Sequence, residues 1–141
     1  MKNIVYNKPY LDEQEIKAVT KVLKNNWLIA GEEVARLEEN VRKFVHAKYA
    51  VATNSGSSAL HLSLIALNIG ANDEVIIPTY TCTALLNAVY YTGATPVIVD
   101  IATNGFNIDP VQVKNKINKR TKAIIVPHTF GFPAKIDEIK K

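Results

Sequence analysis

A single cysteine, Cys82, is all the thiol chemistry this chain holds. It can form no intramolecular disulfide, which fits a reducing cytoplasm, and it offers no second thiol for a zinc cluster. The three histidines, His46, His61 and His128, show no ligand-like spacing, so no metal site is expected. No apolar run approaches the roughly 18 residues that cross a bilayer, and Met1-Lys2-Asn3-Ile4-Val5-Tyr6-Asn7-Lys8 lacks the apolar core of a secretory leader. Neither a membrane partner nor export is expected. Aromatic residues make up only 8% and are not interleaved with a basic stripe, so no nucleic-acid partner is expected despite a net charge of +4. Much of that charge sits on Lys114, Lys116, Lys119, Arg120 and Lys122, where basic residues complement a helix end.

What remains is a soluble globular balance: 48% hydrophobic and 21% charged residues in a chain of 141. That length suits one domain, which would bury roughly two-thirds of its unfolded surface. Four short apolar runs recur at similar spacing, over 49–53, 74–77, 96–100 and 122–127. They are rich in Val, Ile and Ala without strict alternation, as in strands covered on both faces. Helical stretches separate them, over 57–67, 81–91 and 109–117, the last opened by Asp109 and Pro110. Strands alternating with helices predict βαβ units and a parallel sheet.

Two helices are predicted ahead of the first strand. Asp12 and Glu15 form a D-x-x-E start, and Ile16, Val19 and Leu23 make an apolar stripe. A second stripe runs through Val34, Leu37, Val41, Phe44 and Val45, after an apolar loop holding the only tryptophan, Trp27. At the other end, residues 135–141 have the pattern of a helix in progress. A sheet closed there would leave an apolar edge strand to be covered by another chain or by further polypeptide.

Ligands of open α/β sheets bind beyond the carboxyl ends of the strands, which here points to the loops 54–58, 78–83, 100–107 and 127–132. One such place combines several anion-binding features: Asn54-Ser55-Gly56-Ser57-Ser58-Ala59-Leu60 joins the first run to a helix. A helix start presents unpaired N–H groups and the positive end of the dipole, glycine permits close approach, and serine hydroxyls can donate to a phosphate. The alternative is an ordinary N-cap, with Ser55 or Ser57 closing the first turn and no ligand. Pro78-Thr79-Tyr80-Thr81-Cys82-Thr83 is a second such loop, with Pro78 expected to end strand pairing. Its Cys82 could be a nucleophile, a stacking surface or a small buried hydrophobe, the last being the default. His61 is expected to pack or face solvent, His128 to be a hydrogen-bonded structural histidine, and Trp27 to anchor packing or meet a partner subunit.

With those residues in view, the chain resembles the amino-terminal part of the DegT/StrS family of sugar aminotransferases. The ordered matches are Trp27-Leu28-Ile29-Ala30-Gly31, Asn54-Ser55-Gly56-Ser57-Ser58-Ala59-Leu60-His61, Gly70-Ala71-Asn72-Asp73-Glu74-Val75-Ile76-Ile77-Pro78, Gly93-Ala94-Thr95-Pro96-Val97-Ile98-Val99-Asp100, Arg120-Thr121-Lys122-Ala123-Ile124-Ile125 and His128-Thr129-Phe130-Gly131-Phe132-Pro133. The resemblance implies a pyridoxal-phosphate (PLP) enzyme of the aspartate-aminotransferase fold, type I. The chain would be an amino-terminal part of its large domain, a three-layer α/β structure with a mostly parallel sheet. Its two leading helices would cover about 12–46 and its βα units 49–141.

The same resemblance places the cofactor-binding turn on Gly56 and Ser57, with Ser58 beside them, and the residue stacked on the pyridine ring on Cys82. Trp27 and Gly31 would help to line the sugar-nucleotide site, which the family typically assembles from two subunits. The family's aspartate for the pyridinium nitrogen and its cofactor-anchoring lysine would fall beyond Lys141. No catalytic residue is therefore expected within the chain, and no independent activity. The implied reaction moves an amino group, commonly from glutamate, to a nucleotide-linked keto sugar for polysaccharide or amino-sugar assembly. A truncated or split form would need a homodimeric mate or a complementary carboxyl-terminal chain. Two alternatives remain open: a keto-sugar dehydratase of the same family, and a non-catalytic interaction module or remnant.

Overall fold

Asp12 opens the first helix with a complete capping box: its carboxylate accepts from the first turn, and the Glu15 carboxylate accepts the Asp12 N–H at 2.8 Å. This is α1, Glu13–Lys24, in a computed structural model that describes residues 7–140. The leading segment read above for its lack of a leader falls largely in 1–6, outside the described residues, as does Lys141. After a loop, α2 runs Glu32–Phe44. On α2, Arg42 grips Glu39 through two hydrogen bonds of 2.7 and 2.8 Å, and Lys43 adds a third contact at 3.1 Å. Those hydrogen bonds, Arg42 first, hold the Glu39 carboxyl down to about 2. These helices and the stretch through residue 52 form one compact unit, and residues 53–141 form a second.

The second unit begins with α3, Gly56–Ala66, and continues with β1 (Glu74–Pro78), α4 (Thr83–Tyr91), β2 (Thr95–Val99), α5 (Pro110–Lys116), β3 (Thr121–Ile124) and the short α6 (Ile136–Ile139). The three strands form a parallel sheet in the order β2-β1-β3. Central β1 is buried along its whole length, and the flanking strands are only partly covered. The two faces of β1 sort by alternation. Val75 and Ile77 pack with Leu64, Leu85, Ala88 and Val89 under α3 and α4, whereas Ile76 packs with Val99, Ile108 and Val113 against α5. Two apolar layers thus share one strand, which is the three-layer arrangement expected.

One expectation needs correction. Residues 49–53 form no strand: the segment joins no ladder among the described residues, and the Ala52 N–H is taken at 2.8 Å by the Glu38 carboxylate. Its apolar composition suits a strand, but a strand exists only where a neighbour supplies the other half of the ladder. Pairing ends at Pro78, as expected. This proline is the last residue of β1, in register with Val99, and the Thr79 N–H reaches Val99 O at 2.8 Å. A proline costs a ladder only the N–H it lacks, so the end of a strand tolerates it.

At the amino end of β1 lies a buried carboxylate. Glu74, 4% exposed, accepts from Asn118 Nδ2 at 2.7 Å and pairs with Arg120 at 2.5 Å, while its N–H donates to Arg120 O. The clasp ties the start of β1 to the turn entering β3 and satisfies a group that would otherwise be costly to bury.

Candidate functional site

The start of α3 is built by its own side chains. Ser55 is the N-cap: its hydroxyl accepts the Ser58 N–H at 3.1 Å and donates to Ser58 Oγ at 3.0 Å. Ser58 Oγ donates in turn to Asn54 Oδ1 at 2.8 Å, and Thr53 Oγ1 donates to Ser55 O at 2.9 Å. The ordinary N-cap is therefore present, formed by Ser55, and it spends the Ser58 N–H and hydroxyl on the turn itself. It leaves two backbone donors over. Among the described residues, neither the Gly56 nor the Ser57 N–H has a partner, and the exposed Ser57 hydroxyl has none.

Gly56 is not required by the fold. Its backbone lies outside the left-handed region, and a Cβ built on it would meet nothing within 4 Å. Neither conformation nor packing within the chain explains a glycine there, whereas an anion approaching two free N–H groups would. The residues present thus fit the phosphate end of a PLP molecule.

Cys82 caps α4 without a side-chain hydrogen bond, and it is exposed rather than a core thiol. Two of the expected ligand-facing loops, 78–83 and 127–132, meet beside it. A cavity of about 460 Å³ opens beside it, walled by 79–82 on one side and Pro127, Thr129 and Phe130 on the other. Both loops follow the carboxyl ends of strands, β1 and β3, as expected for a ligand site in a parallel sheet. Tyr80, Phe106 and Phe130 form an aromatic cluster at its rim, with ring centroids 5.4 to 6.3 Å apart.

Phe130 holds φ +56°, a conformation that costs a non-glycine residue roughly 1–2 kcal/mol. The Thr129 hydroxyl, buried in the cavity wall, has no hydrogen-bond partner among the described residues. His128 accepts the Ala134 N–H at 3.0 Å on Nδ1, the structural role expected of it. His61 packs edge-on against Tyr91 at 5.4 Å.

In the first unit, Trp27 and Gly31 lie together. The Trp27 Nε1–H donates to Ala30 O at 3.2 Å, and a Cβ at position 31 would lie 2.5 Å from Nε1. Gly31 has extended backbone, so the indole and not the dihedral demands glycine. Both residues line an apolar hollow of about 590 Å³ between the end of α1 and the start of α2, and Trp27 is 60% exposed. We expect Gly31→Ala to push the indole aside. As Trp27 is the sole tryptophan, a red-shifted emission maximum with unchanged helix content will report it.

A parallel α/β unit with unpaired amides at a helix start and a cavity at its strand ends has the layout in which open α/β sheets place ligand sites. The chain belongs to the DegT/DnrJ/EryC1/StrS aminotransferase family, whose model matches residues 9–141. It is 42% identical over 134 residues to MJ1066 of Methanocaldococcus jannaschii, covering 95% of this chain and 35% of that protein. It is equally 42% identical over 134 residues to SpsC, a spore coat polysaccharide biosynthesis protein of Bacillus subtilis, covering 95% and 34%. Among solved structures, Spr1654 of Streptococcus pneumoniae, described as a sugar aminotransferase and known in PLP and PMP forms, superposes with a TM-score of 0.92 at 33% identity. That match covers 99% of this chain and 35% of Spr1654 in the PMP form. The chain therefore has the fold of PLP-dependent aminotransferases and spans about a third of the length of its relatives.

Proposed function

We propose that these residues supply the phosphate cradle and ring-facing wall of a PLP-dependent sugar aminotransferase. The observation that carries the reading is the start of α3, with its two unpaired N–H groups, free Ser57 hydroxyl and open space over Gly56. PLP, when bound, supplies an electron sink for amine exchange. This chain's residues do the holding: Gly56 and Ser57 donate to the phosphate, Ser58 braces the turn through Asn54, and Cys82 offers a polarizable face toward the ring.

The substrates we propose are a nucleotide-linked keto sugar and an amino donor such as glutamate, in the cytoplasm, for polysaccharide or amino-sugar assembly. Trp27 and Gly31 would contact the sugar nucleotide. The activity is proposed for a polypeptide of the relatives' length, or for these residues joined by a second copy or a complementary chain. Exposed apolar residues on α2, Leu37 and Phe44 among them, support such an association.

The test is an amide NMR titration with PLP. Selective shifts of Gly56 and Ser57, reversed by inorganic phosphate, are expected; titration that leaves both amides unmoved overturns the reading.

A further inference from the structure

Only two polar residues are buried among those described, and the fold explains one of them, Glu74. The other is Asn107, 8% exposed, in the loop between β2 and α5. Its carboxamide uses both ends on the loop that follows β3. Oδ1 accepts the Thr129 N–H at 3.0 Å, and Nδ2 donates to Phe132 O at 2.9 Å. Between those two anchors lie the left-handed residues Phe130 (φ +56°) and Gly131 (φ +78°), in a short 3₁₀ turn. A buried carboxamide that spends donor and acceptor on one turn fixes that turn's shape, and left-handed backbone persists only where its surroundings hold it.

The turn is the wall of the cavity beside Cys82, and it carries the unpartnered Thr129 hydroxyl and the Phe130 ring. We infer that Asn107 is a positioning residue for the ring end of the cofactor cavity. By clamping Thr129 and Phe132 it sets the distance between the 128–132 turn and the 79–82 loop. The inference rests on the PLP reading above and deepens it: the start of α3 takes the phosphate, and the Asn107-clamped turn shapes the space for the ring. Asn107 itself touches neither.

The lone cysteine makes this measurable without any turnover. The probe is pyridoxine 5′-phosphate, which lacks the aldehyde and so forms no adducts with surface lysines. In the unmodified chain it should slow the alkylation of Cys82 by iodoacetamide and shift the Gly56 and Ser57 amides. Asn107→Asp keeps the acceptor for Thr129 but turns an oxygen toward Phe132 O. The concentration giving half-protection of Cys82 should rise about tenfold, the effect of one lost hydrogen bond. The Gly56 and Ser57 shifts caused by inorganic phosphate should not change.

A merely structural asparagine would alter both readouts or neither, and either result overturns the proposal. Gly131→Ala strains the same turn from its exposed side, where an added Cβ meets nothing, and decides the matter if Asn107→Asp does not fold. The same selective loss of Cys82 protection supports the clamp; full protection refutes it. Absence of any Gly56 or Ser57 response in the unmodified chain instead removes the PLP reading, and the inference with it.

Discussion

Replacing Ser57 with alanine should weaken PLP binding by roughly 10- to 150-fold, the equivalent of about 1.5–3 kcal/mol for a hydrogen bond made to charge. The size follows from what the hydroxyl does without a ligand: among the described residues it bonds nothing, so its removal takes nothing from the fold. Melting should therefore stay within about 0.5 kcal/mol of the parent, as for other exposed substitutions. Ser58→Ala should behave in the opposite sense. Its hydroxyl bridges Asn54 and Ser55, so its loss should cost about 0.5–1.5 kcal/mol of stability, with a smaller, indirect loss of affinity. Equilibrium titration beside thermal melting separates the two. Equal PLP affinity for Ser57→Ala and the parent would remove the phosphate cradle from this turn.

The largest stability effect is expected at Ile76. It is fully buried in the central strand and packs with Val99, Ile108 and Val113 on the α5 side of the sheet. Truncation to alanine removes three carbons and leaves a cavity that rigid strand neighbours cannot fill, at a cost of about 2–5 kcal/mol. Against a typical total of about 5–15 kcal/mol, that shifts the urea midpoint far toward zero. Val111→Ala, on the exposed face of α5, should stay within about 0.5 kcal/mol and serves as the control. Comparable midpoints for the two variants would contradict the layer assignment.

How far the sequence reaches can be judged residue by residue. The capping box of Asp12 and Glu15, the Asp109–Pro110 start of α5 and the Ser55 cap of α3 are local signals, and each stands where the pattern puts it. Helix starts are legible because the groups that satisfy them lie within a few positions. The 49–53 segment shows the limit. Its apolar run carries the composition of a strand, but a ladder belongs to two segments and composition reports one.

Cys82 and Asn107 show the same limit in the site. Cysteine is a buried residue by habit, and only the folded loop exposes this one. Asn107 is one polar residue in a loop until its partners, 22 and 25 positions away, come into contact with it. The turn at the start of α3 is legible because glycine, hydroxyls and helix start adjoin in sequence. The loops that wall the cavity are legible as strand-end loops of a parallel sheet, but the meeting of Tyr80, Thr129 and Phe130 there is a tertiary fact.

The Glu74 clasp carries a practical consequence. It fastens the sheet at the amino end of β1, so the clasp and the cavity at the strand's carboxyl end lie at opposite poles of one strand. Directed evolution can exploit that polarity: exposed positions such as Tyr80 and Phe130 can be diversified without touching the clasp.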